Sequence, residues 1–406
     1  MSNIKHWTRI GRHDLIPDVK HDEAARLSVI AHINSMLSSQ VAPKVKAQFD
    51  NKVSADFEQR HGHAPADRHE VAAAMASDPT YQIWSTLRRN TMEMRQQAGR
   101  GIVLRQAREL AEKADSINAG APTLSLNPDL EIPDYVETGD QHLMPGGYAG
   151  EVVEGDVSGA SNYDIGHFTT VMGTSGPYND LAGRTLAAWI SKTHPDLKPK
   201  RILDLGCGAG MNTLPIREAF PDAEIVAMDI AAPMLRYGHA RAQSLGVEDI
   251  RFVQGEATDT GLEDNSFDLV FTAMVLHETS AEAVAGIFRE TKRLVRDGGL
   301  VFHLEQPPYR QFGAFEQFMR DWDGRNNNEP FWSDLHESNL PDQMVEAGFA
   351  PESVFEAEAV ATFFDDKSDS EDFGRAPKWY LVGARVGHDM TQDESNIGGP
   401  GLRAVN

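Results

Sequence analysis

The sequence predicts an α/β fold, a doubly wound sheet preceded by a helical domain. Three observations support this. With 406 residues the chain exceeds one usual domain, so a second unit of roughly 100 to 150 residues is expected. Helical periodicity dominates the first part, and after about residue 161 short apolar runs alternate with helical patterns, as in βαβ units. The predicted division is a helical domain over 1–120, a Pro- and Gly-rich connector over 121–160, a sheet domain over 161–386 and a loose tail over 387–406.

The helical domain is predicted from apolar spacing between residues 22 and 118. Leu27, Ile30 and Ile33 are three residues apart, as expected on one face of a helix. A further helix is expected from about residue 79 to 118. Gly99 and Gly101 are candidate breaks in it, because glycine costs about 1 kcal/mol inside a helix.

Seven short runs of β-forming residues are the candidate strands. They are 201–204, 224–229, 250–254, 267–272, 300–304, 353–361 and 379–386. Helical patterns separate the first five, which favours parallel strands joined by helices. We therefore expect a seven-stranded sheet.

Composition excludes several classes of function. The chain has 61 acidic against 38 basic residues and a net charge of −23, a field that repels nucleic acid. A single cysteine, Cys207, excludes a disulfide framework, a zinc site with several thiolates and the three-cysteine cluster of radical enzymes. Histidines 61, 63 and 69 lie in a polar stretch without helical ligand spacing, so we expect a solvated loop and no metal site. No signal peptide or spanning segment is evident, and a cytoplasmic location is expected.

The strongest motif runs from Ile202 to Gly210, a β-run followed by glycines at 206, 208 and 210. Such glycines permit a tight turn and let the backbone approach a ligand closely. A dinucleotide-binding loop would need its third glycine at Met211, and a phosphate-binding loop would need a Gly-Lys pair, which the chain lacks. The loop therefore predicts a nucleotide-like ligand of another kind.

This loop, with Asp204 before it, resembles the first motif of class I S-adenosylmethionine-dependent methyltransferases. Asp229, then 252–257, 267–272 and 298–302 match the later motifs in the family's order. The chain is similar to the family from about residue 163 to 386, and within it to the ubiquinone-biosynthesis-like branch that methylates small molecules. The resemblance implies a Rossmann-like sheet and S-adenosyl-L-methionine as the cofactor.

The resemblance also indicates the donor site. Asp229, at the end of the second strand, is expected to accept hydrogen bonds from both ribose hydroxyls. Glu256 is expected near the adenine amino group, where the family more often has aspartate. The expected donor-binding residues are Asp204, Gly206, Gly208, Gly210, Asp229, Ile230, Glu256, Ala257 and Thr272.

Methyl transfer requires alignment and, for some acceptors, a base. His277, after the fourth strand, is the candidate base and Glu278 its orienting partner; a loop histidine that positions its neighbours is the alternative. Acceptor contacts are expected from residues before the first strand and around the end of the fifth, although packing, capping or solvent exposure explains them equally well. These residues are Tyr163, His167, Tyr178, Glu305, Gln306 and Trp322.

The expected partner is a small-molecule methyl acceptor, with no nucleic acid and no membrane, and a homodimer through the helical domain stays open. Two alternatives remain: a donor-binding module whose helical domain recruits a protein, and a peptide or protein methyltransferase. Gln306 to Tyr309 imitates a motif of enzymes that methylate planar amines, but it follows the fifth strand instead of the fourth. Neither the acceptor nor the methylated atom follows from the sequence.

Overall fold

The computed structural model describes residues 7–137, 139–361, 378–388 and 402–404. At its centre is a nine-stranded sheet with the order β1-β4-β3-β2-β5-β6-β8-β7-β9. The strands are β1 Leu124–Ser125, β2 Arg201–Leu205, β3 Glu224–Asp229, β4 Ile250–Gln254, β5 Phe267–Ala273, β6 Val295–Glu305, β7 Val354–Val360, β8 Lys378–Arg385 and β9 Leu402–Ala404. Strands β1 to β6 pair in parallel, and β8 pairs antiparallel with both β6 and β7.

The predicted doubly wound α/β fold is confirmed, but the predicted count of seven strands was too low. The two additional strands are β1, which pairs in parallel with β4, and β9, which pairs antiparallel with β7. Both lie at sheet edges and contain two and three residues. Runs this short do not show the alternation by which a strand is recognised in a sequence. The rest of the predicted tail lies mostly outside the described residues.

Helices cover both faces of the sheet and form the region before it. They are α1 His21–Met36, α2 Ala42–Gln48, α3 Ser54–His61, α4 Arg68–Met75, α5 Pro79–Leu104, α6 Ala107–Asn118, α7 Asp134–Glu137, α8 Ser158–Thr170, α9 Leu181–Thr193, α10 Thr213–Ala219, α11 Ala232–Ser244, α12 Ala281–Leu294, α13 Ala314–Arg320, α14 Trp322–Asn326, α15 Trp332–Glu337 and α16 Leu340–Glu346. Two π-helical turns join α1, α2 and α3. Among the described residues, no helix combines the length and apolar character needed to cross a bilayer.

The predicted breaks at Gly99 and Gly101 were wrong, since α5 continues through both residues. At Gly99 the neighbouring helix α8 comes very close: a Cβ there would lie 2.1 Å from Oδ1 of Asn162. At Gly101 a Cβ would meet no atom within 4 Å. Close packing of α5 against α8 offsets the unfavourable helix propensity of Gly99.

The helical region and the sheet domain share a hydrophobic core. Phe315, Phe318 and Trp322, which follow β6, pack with Trp84 of α5. The two tryptophan rings meet edge to face with centroids 5.7 Å apart, and Trp322 Nε1 donates to Ser85 Oγ at 2.8 Å. These aromatic residues after β6 therefore attach the helical region to the sheet.

A buried polar network makes a second attachment around Asp164 of α8. Its carboxylate accepts hydrogen bonds from Tyr237 Oη at 2.8 Å and Asn179 Nδ2 at 2.7 Å, and lies 3.1 Å from His13 Nε2. Burial alone would raise the pKa of Asp164, but the contacts with His13 and Arg241 lower it to about 2. The network fixes α8, which carries Tyr163 and His167.

Candidate active site

The glycine loop after β2 lies across the end of β3. The backbone N–H groups of Gly206 and Cys207 donate to the carbonyl of Met228 at 2.8 and 2.9 Å. Gly206 has a φ of 79°, and a Cβ there would lie 2.6 Å from the Val275 side chain. Glycine is therefore required at 206 both by backbone conformation and by space.

Asp229 connects this loop to the end of β3. Its Oδ2 accepts from the Gly208 N–H at 2.7 Å and its Oδ1 from the Ala231 N–H at 2.9 Å. Burial raises the pKa of Asp229, although these backbone hydrogen bonds oppose the effect. A carboxylate has about four acceptor positions, so two remain for a ligand.

A cavity of about 220 Å³, open to solvent, lies over the carboxyl ends of β2, β3, β4 and β5; we call it the glycine-loop cavity. Ligands of open parallel sheets bind in this position. Six of the predicted donor-binding residues line it: Gly206, Gly208, Asp229, Ile230, Glu256 and Ala257.

The other three predicted donor-binding residues lie behind the cavity wall. Asp204 is buried and accepts from the Thr213 hydroxyl at 2.6 Å; burial raises its pKa to about 7. Gly210 backs onto Phe252, and Thr272 Oγ1 lies 2.9 Å from His303 Nδ1. These positions support the loop and the strands from below.

Glu256 has a partner that sequence reasoning missed. The hydroxyl of Tyr135, in the predicted connector, donates to Glu256 Oε1 at 3.4 Å and lines the same cavity. On the other side, Glu256 Oε2 accepts from the Thr258 N–H at 2.7 Å. Burial and the Glu256 carboxylate raise the pKa of Tyr135. The connector therefore closes one side of the cavity.

A second cavity of about 230 Å³, which we call the histidine cavity, adjoins the first. The two share a boundary formed by Tyr148, Tyr163, His167, Ser175, Met274, Glu278 and Trp379. The remaining wall comes from distant parts of the chain, including Arg88, Arg95, His142, His277, Gln306, Glu329 and Trp332.

His277 lies in a 3-10 turn directly after β5 and is 2% exposed. Its Nδ1 lies 2.7 Å from Glu305 Oε2, while Glu305 Oε1 accepts from the Leu276 N–H at 2.7 Å. The Trp332 ring packs edge-on against the imidazole, with centroids 5.2 Å apart. Burial opposes protonation of His277, but the Glu305 carboxylate outweighs it and raises the pKa to about 9. The ring is thus fixed on two sides.

Next to His277, three side chains form a cluster: His142, Glu278 and Glu329. His142 Nε2 lies 2.9 Å from Glu278 Oε1, and its Nδ1 contacts Glu329 Oε1. Tyr148 donates to Glu278 Oε1 at 3.0 Å. The cluster lies on the wall of the histidine cavity.

Opposite charges determine the protonation of this partly buried cluster, in which His142 is 27% and Glu329 1% exposed. Burial opposes protonation of His142, but Glu329 and Glu278 outweigh it and raise its pKa to about 10. Burial raises the pKa of Glu329, whereas for Glu278 the contact with His142 overcomes burial and lowers the pKa. One oxygen of each carboxylate, Glu278 Oε2 and Glu329 Oε2, is buried without a hydrogen-bond partner. A buried acceptor without a donor is costly and indicates that a ligand can bind.

The predicted acceptor residues are distributed unevenly. Tyr163 and His167 line both cavities, Gln306 lines the histidine cavity, and Glu305 holds His277. Tyr178 lines neither cavity, because its ring packs on Gly11 and its carbonyl accepts from Arg241 at 2.9 Å. Trp322 also lines neither, since it lies in the core shared with α5.

Sequence reasoning missed other wall residues. His142 and Tyr148 come from the predicted connector, and Glu329 from the segment after β6. None of them belongs to a motif or a periodic pattern. The Pro- and Gly-rich composition of 121–160 predicts a connector, and it does not indicate that this segment contributes residues to a cavity wall.

Comparison with known proteins agrees with the resemblance. A family model described as "Methyltransferase domain" matches residues 202–299. A demethylmenaquinone methyltransferase of Thermus thermophilus is 36% identical over 172 residues, which cover 41% of this chain and 74% of that enzyme. A malonyl-[acyl-carrier protein] O-methyltransferase of Methylococcus capsulatus is 37% identical over 117 residues, 29% of this chain and 40% of that enzyme. A solved geranyl diphosphate methyltransferase in complex with S-adenosylmethionine is 17% identical. The match covers 50% of this chain and 85% of that protein, with a TM-score of 0.37.

The extent of the match to the Thermus enzyme, together with the glycine loop and strand order, defines the class: the chain belongs to the class I S-adenosylmethionine-dependent methyltransferases. It is an enzyme of methyl transfer, and S-adenosylmethionine is its cofactor. The matched segments leave a quarter or more of each relative uncovered, so neither relative's acceptor is transferred to this chain.

The residues present fit this cofactor. At Gly208 a Cβ would point into open space, so the missing side chain leaves the backbone accessible to a ligand. Asp229 keeps two acceptor positions for hydroxyl groups, as the nucleoside requires. Glu256 and Asp229 add negative charge to the wall, which suits a positively charged sulfur compound.

Proposed function

We propose that this enzyme methylates a small-molecule acceptor that binds in the histidine cavity while the donor occupies the glycine-loop cavity. The observation that carries the proposal is the boundary that the two cavities share, with Tyr163, Met274 and Glu278 on it. A donor and an acceptor bound on either side of this boundary can contact each other directly, without water between them. Alignment of this kind is the main requirement for in-line methyl transfer.

When bound, S-adenosylmethionine supplies an electrophilic methyl group on a positively charged sulfur. The chain's own residues then have three tasks: to orient the acceptor, to exclude water and to hold the acceptor's hydrogen. Tyr148 and Tyr163 are half-buried aromatic side chains with ring centroids 5.8 Å apart, and with a ligand bound on each side they help to exclude water at the boundary.

His277 and Glu278, the predicted catalytic pair, are proposed to contact the acceptor. Glu305 fixes the His277 ring, and His277 Nε2 lies 3.7 Å from Glu278 Oε1. Glu278 Oε2, which has no partner, can accept a hydrogen bond from an acceptor hydroxyl or amine. Such a bond orients the nucleophilic atom toward the boundary.

The helical region supports a small-molecule acceptor over a recruiting module. Arg88, Met92 and Arg95 of α5 line the histidine cavity, and the same helix carries the Trp84–Trp322 contact. The region thus contributes to the cavity wall and shares its core with the sheet domain. A domain that recruits protein partners would not need to enclose the site in this way.

The test is product identification with a matched pair of variants. Labelled S-adenosylmethionine is incubated with the protein and a metabolite extract, and the labelled product is identified by mass spectrometry. We expect Asp229→Ala to abolish turnover and to weaken S-adenosylhomocysteine binding on the order of 100-fold, since it removes charged hydrogen bonds worth about 1.5 to 3 kcal/mol each. Asp222→Ala, an exposed carboxylate before the same strand, is the control and should leave both unchanged.

Two results would count against the proposal. Donor binding with no labelled product from any metabolite pool would favour the binding module. Label found on peptides or proteins alone would favour the protein methyltransferase.

A further inference from the structure

We propose that His142, Glu278 and Glu329 form a binding site for a divalent transition-metal ion, with Zn²⁺ as the reference ion. The three residues each offer one ligand atom, and these atoms lie within 4.8 Å of one another. A metal about 2.1 Å from each ligand brings them to within roughly 4 Å of one another, so a small side-chain movement completes the set. Metal binding at this site goes beyond the proposed function and does not depend on it; a bound ion would take the place of the hydrogen bond from the acceptor to Glu278 Oε2, and the acceptor would then contact the ion.

The donor set has the chemistry of a metal site. One imidazole and two carboxylates are ligands that zinc and neighbouring ions accept. Both ring nitrogens of His142 face carboxylates. A metal would therefore replace the proton on one nitrogen, while the other N–H stays on its carboxylate, which can coordinate through its second oxygen. An imidazole that ligates a metal usually has such a partner.

An independent observation points to a ligand at this place. Glu329 is 1% exposed, and its Oε2 has no hydrogen-bond partner, although it lies on the wall of a cavity. Oε2 of Glu278, whose side chain is 14% exposed, also has no hydrogen-bond partner. Two buried carboxylate oxygens without donors are explained if a cation binds between them and the histidine.

The cluster is held by residues outside it. His142 has a φ of 55°, a conformation that few side chains adopt, and its carbonyl accepts from Gln96 Nε2 at 2.8 Å and Arg95 at 3.2 Å. Asn327 Nδ2 lies 3.2 Å from His142 Nδ1 and 3.3 Å from Glu329 Oε1. A strained backbone stabilised by helix α5 is typical of a functional position.

The site faces the histidine cavity, so a bound ion would have coordination positions left for a ligand there. An acceptor with a hydroxyl or carbonyl oxygen could bind to it and be polarised. This catalytic consequence rests on the proposed function, whereas metal binding does not, so the two can fail separately.

The experiment uses the full chain, dialysed against a chelator and then titrated with Zn²⁺ by calorimetry. We expect one Zn²⁺ per chain, at least about 100-fold weaker binding in His142→Ala and in Glu329→Gln, and weaker binding of Mg²⁺ than of Zn²⁺. The exposed pair His63 and Glu70, 3.7 Å apart, gives matched control variants, His63→Ala and Glu70→Gln, which should bind Zn²⁺ as the wild type does. Titration with S-adenosylhomocysteine checks that each variant is folded.

X-ray absorption at the zinc edge provides a readout that does not depend on variants. Nitrogen and oxygen ligands at about 2.0 to 2.2 Å are expected, and a sulfur ligand at about 2.3 Å would assign the ion to Cys207 and overturn the proposal. The proposal is also overturned if the wild type takes up no Zn²⁺, if binding survives both cluster substitutions, or if Mg²⁺ binds as tightly through the same residues.

Discussion

The glycine-loop cavity and the histidine cavity lie side by side but are assembled differently. The first takes its main walls from the ends of consecutive strands, between Leu205 and Thr279. The second draws on α5, the segment around His142, helix α8 and the segment after β6. A donor site made of neighbouring strand ends can be shared across a family, whereas an acceptor site made of distant segments can differ in each member.

This contrast predicts that substitutions separate the two cavities. Changes at the glycine loop should weaken donor binding, and turnover should fall as a result. Changes on the outer wall of the histidine cavity should reduce turnover at unchanged donor affinity. If a substitution on the outer wall of the histidine cavity lowered donor affinity and turnover equally, the two cavities would act as one site.

The largest effect is expected for Gly206→Ala. A Cβ at this position would lie 2.6 Å from Val275, in a backbone with φ of 79°. Strain of about 1 to 2 kcal/mol and a steric overlap of similar size should weaken S-adenosylhomocysteine binding on the order of 100-fold, measured by calorimetry.

Gly246→Ala is the matched control, because Gly246 has the same φ of 79° but open space around a Cβ. It should lower stability slightly and leave donor affinity unchanged. Equal losses of affinity in the two variants would contradict the steric explanation.

The next effect concerns the outer wall. Trp332→Ala removes the ring that packs on His277. This ring lines the histidine cavity and not the glycine-loop cavity. We expect kcat/KM for the identified acceptor to fall by about 10- to 100-fold, since loss of an aromatic contact and of His277 positioning each cost on the order of 1 kcal/mol or more. The dissociation constant of S-adenosylhomocysteine should stay within about twofold; a parallel loss of donor binding would mean that the two cavities are not separable.

The strand-end residues of the glycine-loop cavity could be predicted from the sequence, whereas most of the residues of the histidine cavity could not. Asp229 and Gly206 were predictable because each occupies a fixed place relative to a strand end, and local sequence encodes strand ends. His142 and Glu329 were not predictable, because their meeting depends on how a connector and an insertion pack, and neither has a periodic pattern. Trp322 shows the opposite error, because it was expected to contact the acceptor and lies in the core instead. Apolar residues at helical spacing identify a buried face, but they do not distinguish a core from a pocket wall.

A smaller effect tests how α5 supports the histidine cavity. Gly99→Ala would place a Cβ 2.1 Å from Asn162 Oδ1 and should lower the free energy of unfolding by about 1 to 3 kcal/mol. Gly101→Ala, in the same helix with nothing within 4 Å, should raise it by up to about 1 kcal/mol through helix propensity. Urea denaturation measures both, and a shift of the same sign in the two variants would contradict the packing account of α5 and α8.

A last test concerns the paired strands β5 and β6, where His303 contacts Thr272. Burial lowers the pKa of His303 to about 3, below the ordinary value of 6.5, so the folded protein keeps this ring neutral while the unfolded chain protonates it. His303 therefore does not lower the free energy of unfolding above pH 6.5. That free energy falls as the pH decreases from 6.5 toward 3, by up to about 1.4 kcal/mol per pH unit.

His303→Gln should remove this contribution, so the unfolding free energy of the variant should decline less than that of the wild type between pH 7 and 5. His194, with a pKa lowered to about 4, and Asp204, raised to about 7, titrate in both proteins, so the difference between them isolates His303. Parallel declines in the two proteins would show that His303 is not held neutral in the folded state.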